Sequence, residues 1–169
     1  MTQEIVNRVE QSGIVTLDLE VLIPEKKVVE IDIAPQLSQG LILREKDFRG
    51  WVKDNDWSIY EGKRIALHCS VDAIVPTWAY MLVANALREY TLEIYFANLQ
   101  TVDALIAERL LSTVSPDSYE DKRVVIKGCG DREISNHAYV MLTSILLPVA
   151  KTIMYGEPCS TVPVYKKRK

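Results

Sequence analysis

At 169 residues and 48% apolar content, the chain has single-domain size and can bury a core without disulfide staples. A net charge of −3 with both signs scattered lacks the basic footprint of a nucleic-acid surface. No apolar run nears the roughly 20 residues of a membrane span, so nucleic acid and membrane are both set aside as partners.

The N-terminus, Met1-Thr2-Gln3-Glu4, has no basic segment, apolar stretch or small-residue cleavage site, and the expectation is a cytoplasmic protein. Residues 3–11 read as a short helix. Val28 to Ile33 and Gly40 to Leu43 read as strands around a turn, and Glu45 to Asp54 as an amphipathic helix using Phe48, Trp51 and Val52. These first 60 residues are expected as an irregular α+β extension packed on the same core, giving one domain over residues 1–169.

From Arg64 onward, short β-rich runs alternate with helical periodicity, the pattern of parallel strands joined by crossover helices. The strands are Arg64 to His68, Leu92 to Ala97, Arg123 to Lys127 and Lys151 to Tyr155. Helices are predicted over Pro76 to Tyr90, Val102 to Val114 and Ser135 to Leu147, with Ser135 able to cap the last and Pro148 ending it. The expected class is an α/β three-layer sandwich with a mainly parallel sheet. The basic end, Lys166-Lys167-Arg168-Lys169, reads as a solvated tail.

The stretch RIALHCSVDAIVPTWAYML echoes RVVIKGCGDREISNHAYVML once a one-residue gap is allowed. Each runs strand, cysteine, polar loop, then a helix bearing Ala-Tyr. Both an ancestral duplication and the general likeness of βα units fit this echo.

Chemistry is sought at the cysteines. Cys69 follows the first of these strands, Cys129 the third and Cys159 the fourth. Carboxyl ends of parallel strands share one edge, where such folds bind ligands, so the three thiols are expected to converge there. Any one cysteine is ordinarily a small packing hydrophobe; three at strand ends point to a shared site. In a reducing compartment they are free thiols or metal ligands rather than disulfide partners. Thiolates favour zinc or an iron–sulfur cluster, and His137, in the first turn of the third helix, is the candidate fourth ligand. His68 is expected to face away from Cys69 by strand alternation. Asp72, Asp131 and Glu157 occupy the same loops as candidate oxygen ligands or bases.

No CxxC pair is present, so the spacing matches no standard zinc motif. No cysteine is followed six residues on by arginine, as in a phosphatase, and the GxSxG, GxGxxG and Walker patterns are absent. Two other classes stay open. One is metal-free thiol chemistry or sulfur carriage at Cys69, which precedes a helix. The other is a non-catalytic interaction domain using loops Val71 to Thr77 and Glu157 to Tyr165, with Trp78 and Tyr165 as anchors. Oligomeric state is left open.

The strings GLILREKDFRGWV, CSVDAIVPTWAYML, RVVIKGC and YGEPCSTVPVYKK resemble an uncharacterised Bacteroidetes family, domain of unknown function 2480, over essentially the whole chain. The family label brings no activity. The resemblance implies a place beside iron–sulfur assembly machinery, with a protein partner there. On these grounds the expected role is accessory, in metal or sulfur handling, with Cys69, Cys129, Cys159 and His137 as ligands.

Overall fold

The computed structural model describes residues 13–127, 130, 132–157 and 159–168; the helix expected over residues 3–11 lies outside them. Two sheets form where one was expected. The first has the order β1 (Ile14–Leu17), β5 (Arg123–Ile126), β6 (Thr152–Glu157), β7 (Ser160–Lys166), and the second β2 (Val28–Asp32), β3 (Arg64–His68), β4 (Ile94–Phe96). Every pairing is parallel except β6 with β7. The α/β class with mainly parallel pairing is therefore what the chain adopts.

The helices are α1 (Leu19–Leu22), α2 (Glu45–Asp54), α3 (Thr77–Leu87), α4 (Val102–Leu111) and α5 (Asn136–Leu146). Contacts divide the chain into two compact units, residues 25–105 and the described parts of 1–24 with 106–169. The first 60 residues are no appendage. They supply the edge strands β1 to one sheet and β2 to the other, because IVTL and VVEID are short β-branched runs that pair readily beside a central strand. The strand expected at Gly40 to Leu43 is reduced to isolated bridges from Ile42 to Ser38 and Ile74.

In unit 25–105, α2 presents Phe48 to the core with no exposed surface, and Trp51 and Trp78 pack on it at 5.2 and 6.0 Å between ring centroids. Trp57 joins edge-on to Trp51 and its indole N–H donates to the Val52 carbonyl at 2.8 Å, so its one polar group is satisfied. Trp78 is half-buried and packs against this core.

The two units repeat one plan. In each, an early strand pairs with a central strand, a helix follows, and a third strand closes on the other side. The segments Tyr60-Glu61-Gly62-Lys63-Arg64 and Tyr119-Glu120-Asp121-Lys122-Arg123 both lead into the central strand. Gly62 and Asp121 both take left-handed backbone, at φ 67° and 52°. Ala79, Val83 and Leu87 on α3 are buried, as are Ala138, Leu142 and Leu146 at the same positions of α5. Tyr80 meets Phe96 edge-on at 4.9 Å, and Tyr139 meets Tyr155 at 5.6 Å. A general likeness of βα units does not require these coincidences. The repeat also runs without the expected gap, so counting from the strands sets Cys69 level with Gly128, not with Cys129.

Two ends differ from expectation. Ser135 sits at the start of α5 but makes no side-chain capping bond. The first two residues of the basic end are held in the fold: Lys166 lies in β7, and the Lys167 N–H donates to the Lys151 carbonyl at 2.9 Å.

Candidate functional site

In unit 25–105, β2 and β3 end level, with Asp32 opposite His68 and Cys69 next along the chain. Asp32 organises this edge. Its Oδ1 accepts the N–H groups of Ala34 at 2.9 Å and Ser70 at 3.0 Å, and its Oδ2 accepts the Ser70 hydroxyl at 2.6 Å. Burial alone would push the carboxyl up, but the Ser70 and Ala34 donors outweigh it and hold it below its usual 3.8. The carboxylate thereby pins the backbone on both sides of the strand ends.

Cys69 is half-buried and unbridged. Among the described residues its thiol donates only to the Val71 carbonyl, at 3.5 Å, and S–H is a weak donor. Tyr80, reaching in from α3, has its phenol pushed up first by burial and then by the charges of Cys69 and Asp32. His68 is engaged elsewhere: its Nε2 lies 2.7 Å from Glu30 Oε1, consistent with alternation away from Cys69.

The equivalent edge of the other unit is ionic. Asp18 Oδ2 accepts from Lys127 Nζ at 2.8 Å and Oδ1 from the Glu20 N–H at 2.9 Å. The Lys127 contact holds the Asp18 carboxyl below its ordinary value, and Asp18 in turn raises the Lys127 ammonium. Glu20 accepts the Arg132 N–H at 2.7 Å, and the Arg132 guanidinium donates to the Ile23 carbonyl. Gly130 lies against the Glu20 carboxylate, which would have to move to admit a Cβ there. Asp18, Lys127, Arg132 and Tyr139 line a small cleft.

The convergence argument for the cysteines changes with this topology. The strands before Cys69 and Cys129 belong to different sheets, so the two residues are not at the ends of neighbouring strands, as one doubly wound sheet would have made them. Cys69 belongs to one compact unit and Cys159 to the other. Cys159 is exposed, in the connection after the Glu157–Ser160 pair of the β6–β7 hairpin; that hairpin replaces the loop expected from Glu157 to Tyr165. Cys129 and Asp131 lie outside the described residues. His137 is exposed in the first turn of α5, Asp72 is exposed and Glu157 half-buried. Among the described residues, no group of three or more His, Cys, Asp or Glu is arranged to hold a metal ion.

Asp32, Ser70, Glu30 and the Asp18–Lys127 pair escaped the sequence. Their signal is an aspartate at the end of each early strand, in IVTLD and VVEID, which becomes visible once those strands are recognised as equivalent.

A family model described as protein of unknown function (DUF2480) matches residues 3–167. No curated protein matches, and no solved structure does.

Proposed function

The chain belongs to the DUF2480 family, and we propose that it works through the Cys69 thiol, as a sulfur carrier or thiol-dependent enzyme with an accessory role in metal and sulfur handling. The observation that carries this is the frame around Cys69. Asp32 locks Ser70, the next residue, through backbone and side chain, while the thiol itself is unbridged and only weakly engaged. A rigid setting around a spare nucleophile is what group transfer requires. As a carrier, the Cys69 thiolate would attack the outer sulfur of a donor persulfide. One S–S bond breaks as another forms, the donor leaves as thiolate, and Cys69 keeps the persulfide for an acceptor.

A second reading keeps zinc or an iron–sulfur cluster on Cys69, Cys129 and Cys159, with His137. It is favoured by the unbridged state of both described thiols, which leaves them available as soft ligands. A protein partner in iron–sulfur assembly suits either reading.

One set of measurements separates the two. Timed alkylation with mass-spectrometric mapping is expected to modify Cys69 at least as fast as the exposed Cys159, and Ser70→Ala to change the Cys69 rate while leaving Cys159 alone. A low-molecular-weight persulfide should leave one extra sulfur on Cys69. Stoichiometric metal in untagged protein purified without oxygen, lost in Cys69→Ser, Cys129→Ser and Cys159→Ser alike, would favour the second reading. An inert Cys69 in metal-free protein would end both.

A further inference from the structure

At the opposite edge of the β1-β5-β6-β7 sheet, where β5 and β6 begin and β7 ends, a cleft of about 460 Å³ opens, within the size range of small-molecule sites. Its lining combines the cations Arg123, Lys151 and Lys166 with the apolar surface of Met154, Pro163 and Tyr165. Lys167 also borders it, with its ammonium 4.0 Å from Asp121. Among the described residues Arg123, Lys151 and Lys166 have no acidic side chain paired to them.

The repeat explains what is missing. At the same place in the other unit, Arg64 is only 2% exposed and its Nε donates to Glu93 Oε2 at 2.6 Å, with Lys26 on the other carboxylate oxygen. Strand register makes Arg123 the counterpart of Arg64 and Thr152 the counterpart of Glu93. The unit with the cleft thus keeps the arginine and lacks the carboxylate. Thr152 lines the cleft, and its Oγ1 is both out of reach of water and without a hydrogen-bond partner, an unmet demand that buried hydroxyls rarely carry.

We infer that this cleft binds a small organic anion, a carboxylate or phosphate on an apolar body, whose charged group takes the place that the Glu93 carboxylate holds in the other unit. Arg123 supplies the planar donor fork that matches either anion. Lys151 and Lys166 add charge, and Met154 and Tyr165 offer apolar surface to the body of the ligand. The site is independent of the Cys69 edge.

Calorimetric titration of the full chain tests this with octanoate, octyl phosphate, octanol, inorganic phosphate and a short DNA duplex. One-to-one binding of octanoate or octyl phosphate, weakened by added salt and exceeding that of octanol and inorganic phosphate, is expected; the stronger of the two identifies the anion. Arg123→Ala should weaken it by about tenfold or more, and Lys53→Ala, on α2, should leave it unchanged. Thr152→Glu should abolish binding and raise the melting temperature, because it rebuilds the internal pair seen at Arg64. Octanol binding as well as the anions, an unaffected Arg123→Ala, or unaltered binding by a folded Thr152→Glu variant would each overturn the assignment. So would tighter binding of the duplex, which would make the surface one for polyanions.

Discussion

Asp32 shows how one side chain can order a site without belonging to its chemistry. Because its carboxyl is held below the ordinary 3.8 in the folded chain, the unfolded chain takes up a proton first as pH falls. The stability it contributes is therefore complete above about pH 4 and is lost as pH drops through the folded-state value. Asp32→Asn turns one oxygen into a donor facing Ser70, and it should cost about 1–2 kcal/mol near neutrality. In urea titrations from neutral to acid pH, the gap between the variant and the parent should narrow below about pH 4, since protonation disarms the parent too. A constant gap would contradict the assignment of those hydrogen bonds. At this scale the sequence located Cys69 correctly at a strand end, yet it could not reveal its frame. Asp32 and Ser70 lie far apart in the chain, and an aspartate ending a strand reads as solvated until its partners are in view.

At the scale of elements, periodicity carried most of the fold. The helix over Glu45–Asp54 follows from Phe48, Trp51 and Val52, and α3, α4 and α5 lie inside their predicted spans. Two elements of four residues, β1 and α1, were illegible, each too short to show a period. β7 was read as loop because Pro163 interrupts it, and a proline is tolerated there only because β7 is an edge strand. The equivalence of α3 and α5 carries its own test. Leu142 and Val83 occupy matching, fully buried positions, so Leu142→Ala should cost about 2–5 kcal/mol. Val140→Ala, one turn-face away and 66% exposed, should stay within about 0.5 kcal/mol. Chemical denaturation of both variants checks the contrast, and comparable losses would mean that α5 does not pack as its burial pattern indicates.

For the whole molecule, sequence order and spatial grouping diverge, and here the sequence misled most. Four strands read in series suggest one sheet, because consecutive strands usually pair. Yet β1 crosses over 100 positions of chain to pair with β5, Ile14 opposite Arg123, while β2, β3 and β4 close a sheet of their own in the interval. No local pattern encodes such a choice, since IVTL and VVEID are interchangeable as β-formers. The core of unit 25–105 is built from its own residues, including Ile33, Phe48, Ile65, Val83 and Leu87. That self-sufficiency predicts that a fragment of residues 25–111, extended to the end of α4 so that no helix is cut, folds alone. It should show a single cooperative urea transition with near-native tryptophan fluorescence, as Trp51, Trp57 and Trp78 all lie within it. A non-cooperative transition would mean that this unit borrows stability from the remainder of the chain. The Cys69 edge lies wholly inside the fragment as well. Alkylation of Cys69 should then proceed at the same rate as in the full chain, whereas a shared three-cysteine centre would make that rate depend on residues the fragment lacks.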